Sequence, residues 1–206
     1  MSKYKQQPAI SIIKEIKPEI RIIGFDDCPF KFGQKETVVI GVVFRGGNYL
    51  DGLISTKVKV DGLDATEKLI NCVNSSRHEG QARVLMLDGI TFGGFNLVDI
   101  QKLSEKTGLP VIVIIRHRPD LPLIRKALEK FPDCKKRLEI IEKAGPVRKL
   151  KIENKSAKGA LYYQASGIEK KTAEKLIKLT STRSIVPEPL RAADLICSGL
   201  KAITYG

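Results

Sequence analysis

The chain has 206 residues, 42% of them hydrophobic, enough for a sizeable core in an ordinary globular protein. Lys and Arg number 36 against 23 Asp and Glu, a net charge of +13, and such an excess favours polyanions, nucleic acid before anionic membrane. Three classes are excluded: Cys28, Cys72, Cys134 and Cys197 are too scattered for a zinc pair or a disulfide scaffold and read as reduced thiols of a cytoplasmic protein, Met1 to Gln7 has no apolar signal core, and no apolar run approaches the roughly 18 residues of a membrane span.

In chain order, Ile10 to Ile16 reads as a short strand or a helical turn. Ile20 to Asp26 is the first firm strand, an apolar run that ends on acid. Thr37 to Arg45 and Tyr49 to Val60 are rich in β-formers and flank Gly46-Gly47-Asn48, which predicts a hairpin. Asp64 to about Arg77 is a helix whose Asp64-x-x-Glu67 spacing is that of a capping box, and His78 at its end is expected on the surface. Arg83 to Asp88 is a second buried strand that ends on acid. Gly93-Gly94 breaks the chain, and Asn96 is placed to cap a helix running to Thr107. Pro110 to Ile115 is another buried strand. Asp120 to Lys130 and Asp133 to Lys143 are predicted helices, Val147 to Ile152 and Ala160 to Gln164 short strands. Helices over Ile168 to Leu179 and Glu188 to Ile203 close the chain. The order implies an α/β fold with a mixed sheet: three antiparallel strands, then parallel strands, with flanking helices. One known solution to this order, the ribonuclease-H-like fold, sets the first and fourth strands side by side and so brings Asp26 to Asp88.

An acid at the exit of a buried strand is costly unless it is paired, hydrated or bound to a cation. Two such acids in one sheet fit a hard cation such as Mg²⁺ (or Mn²⁺) beside a phosphate. Glu67 adds a third carboxylate, although a capping-box glutamate needs no metal. Gly93 and Gly94 allow close backbone approach to a phosphate, or form a simple turn. Arg116-His117-Arg118 at a strand exit fits phosphate binding or a solvated basic loop, and Arg191 fits substrate or a structural acid. The Lys170, Lys171, Lys175 and Lys178 row reads as a solvated helix face. No nucleophile elbow, Walker loop or dinucleotide glycine motif is present.

Ile23-Gly24-Phe25-Asp26 and Leu87-Asp88-Gly89 resemble the two catalytic strands of endonuclease V. Glu67 stands at the same separation ahead of Asp88 as that family's glutamate ligand. Pro110 to Arg116 is similar to a later strand of that family that ends in a catalytic lysine, so Arg116 takes that place. Pro187-Glu188-Pro189-Leu190-Arg191-Ala192-Ala193-Asp194 resembles its C-terminal segment, which ends in Asp or His. A closer similarity is to a mostly archaeal family related to endonuclease V. Its hallmarks are matched by Gly24 to Phe30, Asp61 to Glu67 and Asp88 to Asn96.

The resemblance implies a single endonuclease V-like domain over residues 1–206. It also implies a Mg²⁺- or Mn²⁺-dependent endonuclease acting in DNA repair near a deaminated base, deoxyuridine before hypoxanthine. The implied metal ligands are Asp26, Glu67 and Asp88, with Asp194 and Arg116 completing the catalytic set and Asp27 accepting hydrogen bonds behind Asp26. Nucleic-acid contacts fall to Gly93, Gly94, Asn96, Arg118, Arg191 and Tyr49. The family's aromatic wedge ahead of the glutamate is missing: Val60-Asp61-Gly62-Leu63 stands there, and Tyr49 on the hairpin is the nearest candidate. The alternatives are a nucleic-acid-binding protein without turnover and a metal-dependent phosphohydrolase of small nucleotides. The partner is DNA, with RNA as the alternative, and monomer and homodimer are both open.

Overall fold

A computed structural model describes residues 13 and 15–204, and the side chains up to residue 201. The segment expected over Ile10 to Ile16 lies largely outside the described residues. Seven strands form one sheet: β1 (Arg21–Asp27), β2 (Glu36–Arg45), β3 (Tyr49–Lys59), β4 (Val84–Asp88), β7 (Val111–Ile115), β8 (Arg148–Glu153) and β9 (Lys158–Ser166). Two short strands, β5 (Thr91–Phe92) and β6 (Asn96–Leu97), make a separate hairpin. The helices are α1 (Ala65–Asn74), α2 (Ile100–Thr107), α3 (Leu121–Leu128), α4 (Cys134–Lys143), α5 (Lys170–Thr180) and α6 (Glu188–Thr204).

The sheet order is β3-β2-β1-β4-β7-β9-β8. β1, β2 and β3 are antiparallel, β4 lies parallel to β1, and β7 parallel to β4. β9 returns antiparallel to β7 and carries β8 at the edge. The mixed sheet matches the order expected from the sequence, and the adjacency of β1 and β4 follows from it.

Successive side chains on a strand face opposite ways, and the core divides accordingly. Ile23, Phe25, Leu85, Leu87, Val111 and Val113 face α1 and α2. Ile22, Val84, Met86, Ile112 and Ile114 face Ala173, Leu176 and Ile177 of α5 and Leu190 of α6. Continuous apolar runs such as Val111–Ile115 are what a strand buried on both faces requires. α6 also covers β2, where Ile40, Val42 and Phe44 pack with Ala193 and Cys197. Its start lies directly on β1: a Cβ added at Gly24 would stand 2.6 Å from Pro189 Cβ. The Gly24 and Pro187-Glu188-Pro189 motifs are therefore two halves of one contact, and that contact sets α6 over the end of β1.

Three local expectations change. The capping box does not form. Asp64 gives no side-chain cap to α1. Its carboxylate is taken by the Lys59 N–H at 3.2 Å and by Asn96 Nδ2 at 2.7 Å. Asn96 does not cap α2, because it lies on β6 and accepts the Ala65 N–H of α1 at 3.0 Å. Asp99 caps α2 instead, accepting the Lys102 N–H at 3.0 Å. His78 is buried rather than on the surface, against the bare backbone of Gly52.

Candidate active site

β1, β4 and β7 run in the same direction, so their C-terminal ends share one end of the sheet. Phe25 pairs with Leu87, and Asp88 with Ile114. Asp26 and Asp88 lie one step beyond the first pair and Arg116 two steps beyond Ile114, and all three fall on the face that carries Ile22, Met86 and Ile114. This is the face covered by α6, and Asp194 on α6 joins them. Arg116 Nη2 donates to Asp88 Oδ2 at 2.5 Å and lies 3.7 Å from Asp194 Oδ2. That hydrogen bond holds the guanidinium well above its ordinary pKa.

The acids outnumber the cation. Burial first, and then the charges of Asp88, Asp27 and Asp194, push the Asp26 carboxyl up to about 8, against the pull of the Asp27 N–H bonded to it at 2.9 Å. Asp27 faces the opposite way and accepts the Gly93 N–H at 3.0 Å. Its pKa is raised too, by burial before any charge. The end of β1 thus carries two half-buried carboxyls in a region short of positive charge. Oxygen donors of this kind suit a hard divalent cation. Among the described residues, no three Asp, Glu, His or Cys side chains are gathered at metal-binding distance, and Arg116 provides the countercharge.

Glu67 is not gathered into this cluster. It stands in the first turn of α1, on the other face of the sheet, and its exposed carboxylate pairs with Lys102 of α2.

Five expected nucleic-acid contacts need correction. Asn96 is fully buried, with its amide spent on Lys59, Asp64 and Ala65. Gly93 and Gly94 serve the protein itself. The Gly93 N–H is bonded to Asp27, and a Cβ at Gly94 would lie 2.5 Å from Asp61 Oδ1. Arg191 is held by buried Glu188 at 2.6 Å. Tyr49 is at the wrong end of the sheet. It pairs with Arg45, which pairs with Arg21, whereas Asp26 pairs with Ile40. Five residues at about 3.3 Å each separate the two levels. Arg118 is exposed beyond the end of β7, as expected for a basic loop.

Sequence reasoning missed Arg137. Buried on α4, it donates to Asp133 at 2.6 Å, Asp61 O at 2.7 Å, Phe95 O at 2.5 Å and Gly62 O at 3.1 Å. It thereby ties the loop before α1 to the β5–β6 hairpin that holds Asp27. The available signal was its spacing with Ile140 and Ala144, which sets all three on the inward stripe of one helix.

Relatives of known sequence or structure agree with this architecture. The UPF0215 protein of Methanothermobacter thermautotrophicus is 51% identical over 189 residues, covering 91% of this chain and 90% of that protein. The crystal structure of an Archaeoglobus fulgidus protein superposes with a TM-score of 0.79 at 36% identity, covering 91% of this chain and 99% of that one. Ciona intestinalis endonuclease V, in complex with a 24mer DNA containing inosine, gives a TM-score of 0.61 at 17% identity, with 96% and 92% covered. That last likeness is one of fold, and the sheet is accordingly ribonuclease-H-like. The family model described as Endonuclease dU matches residues 18–201, so the chain belongs to the endonuclease dU family.

Proposed function

We propose that this protein is a metal-dependent endonuclease that cleaves a phosphodiester in DNA near a deaminated base, with deoxyuridine preferred over hypoxanthine. The observation that carries the reading is the concentration of Asp26, Asp88 and Asp194 around Arg116, at one end of the sheet in a chain of net charge +13. The basic surface draws in a polyanion, and the acids would repel it unless a cation stands between them. A Mg²⁺ or Mn²⁺ held by Asp26 and Asp88, with Asp194 beside them, would supply Lewis-acid stabilisation of the phosphate and a more acidic water.

The chain's own groups supply the rest. Arg116, released from Asp88, offers its N–H fork to a phosphate oxygen. The Asp27 N–H orients the Asp26 carboxylate, and the Gly93 N–H fixes Asp27 behind it. Glu67 is the further ligand implied by the family resemblance. Its ion pair with Lys102 is solvent-exposed and costs only ~1 kcal/mol or less to break.

The test is labelled DNA containing uracil, hypoxanthine or an abasic site, incubated with Mg²⁺, Mn²⁺ or EDTA. Nicking should need the metal and vanish in Asp88→Asn, while DNA binding persists. Nicking that survives both EDTA and Asp88→Asn overturns the proposal. Binding without nicking would instead indicate a binding protein, and turnover of free nucleotides alone a phosphohydrolase.

A further inference from the structure

Among the described residues only two aromatic side chains are strongly exposed, Tyr49 and Phe32. Tyr49 lies at the far end of the sheet. Phe32 lies at the acid end, in the loop that leaves β1 directly after Asp26 and Asp27, and its side chain is entirely in water at 109% of reference exposure.

The loop is built to present it. Gln34 N–H donates to Lys31 O at 3.1 Å, closing a β-turn with Phe32 and Gly33 at its centre. Gly33 has φ +83°, the positive value that the third position of a type II turn requires. The Gln34 side chain braces the turn twice, accepting the Lys31 N–H at 3.2 Å and donating to Glu36 O at 2.5 Å. The base of the loop is fixed by Cys28 N–H to Val38 O at 2.8 Å and by Thr37 Oγ1 to Cys28 O at 2.7 Å. Phe30, two positions earlier, turns inward, where its ring edge would meet a Cβ at Gly94 at 3.7 Å. A braced turn that half-buries one phenylalanine and projects the next is a mount for the second ring.

We propose that Phe32 is the stacking platform for a nucleobase beside the scissile phosphate. Aromatic rings in a basic setting bind single-stranded or splayed bases by stacking, with little dependence on sequence. Lys31 and Lys35 lie in the same loop and add the positive charge that tracks a phosphate backbone. This assignment rests on the endonuclease reading above, and supplies at the acid end the exposed aromatic that Tyr49 carries at the far end.

The chain contains no tryptophan, so Phe32→Trp introduces a single reporter. In an Asp88→Asn background, which blocks turnover, a fluorescein-labelled single-stranded oligonucleotide carrying one deoxyuridine is titrated with Mg²⁺ present. Affinity is read by anisotropy, and indole emission is read with the unlabelled strand. The expected result is emission quenched in step with binding and affinity retained in Phe32→Trp. Phe32→Ala should weaken binding about 5- to 150-fold, the equivalent of ~1–3 kcal/mol per stacked base. Because the side chain touches only water, all variants should share the parent's circular dichroism. Tight binding with unchanged indole emission, and Phe32→Ala binding like the parent, would overturn the assignment while leaving the endonuclease reading intact. A parent chain that neither binds nor nicks DNA would overturn both.

Discussion

Two charged centres are linked through the β5–β6 hairpin and are built on opposite rules. Arg137 is buried with its donors spent on a carboxylate and three carbonyls, and Phe131 lies 4.1 Å below its guanidinium. Nothing is left over for a ligand. Around Asp26 the balance is reversed: Asp27, Asp88 and Asp194 crowd one carboxyl, and among the described residues Arg116 answers them. A saturated buried network fixes structure, whereas an under-neutralised one is poised to take up charge. The first centre holds the loops still so that the second can remain unsatisfied.

Mutations should separate the two. Asp88→Asn should lower nicking by a factor of about 10³ or more, equivalent to ~4 kcal/mol on the barrier, with the urea midpoint little changed. A comparable fall in stability would mean that Asp88 belongs to the structural class. Arg137→Met should do the reverse, costing ~3–5 kcal/mol in urea unfolding because three carbonyls and Asp133 lose their partner. Full stability in that variant would contradict the account of Arg137.

Asp26→Asn tests the burial and crowding of that carboxyl together. A carboxyl with a raised folded pKa keeps its proton in the native state after the unfolded chain has lost it. Metal-free stability should therefore fall as pH rises from about 4 towards the folded value of about 8. The variant should remove the share of that slope due to Asp26, leaving the share due to Asp27, and be more stable than the parent by ~2–4 kcal/mol at pH 9, while losing nicking. Parallel stability–pH curves would refute the raised pKa of Asp26. The smallest effect on folding belongs to Glu67→Gln, which removes an exposed ion pair and should cost under ~1 kcal/mol. The same change should reduce nicking by about 10²-fold if the carboxylate leaves Lys102 for the cation, and an unaltered rate would remove Glu67 from the ligand set.

The acid-ended strands were legible because burial on both faces writes itself as an unbroken apolar run, and strand alternation then sets Asp26, Asp88 and Arg116 on one face. The site contacts that failed were those decided by distant partners. Asn96 looks like a helix cap locally, and it is one, but for the preceding helix in sequence. Tyr49 is near in sequence to the hairpin and far from the acids because the turn sits at the opposite end of the strands. Two-residue strands such as β5 and β6 carry no periodicity to read, so the hairpin that fixes Asp27 looked like a phosphate loop. Arg137 sits beside Lys135 and Lys136, and locally only its spacing with Ile140 and Ala144 sets it apart from them; the carbonyls it binds lie far along the chain.

Because β1, β4 and β7 point the same way, the segments that follow them emerge side by side over the acids: the Phe32 turn, the β5–β6 hairpin and the Arg118 loop. The carboxylates belong to the strands, while the surface a substrate meets first belongs to the loops, and loops tolerate changes of length and sequence that buried strands do not. On the endonuclease reading proposed above, rewriting a turn would change which lesion is accepted without moving the atoms that would cut the chain.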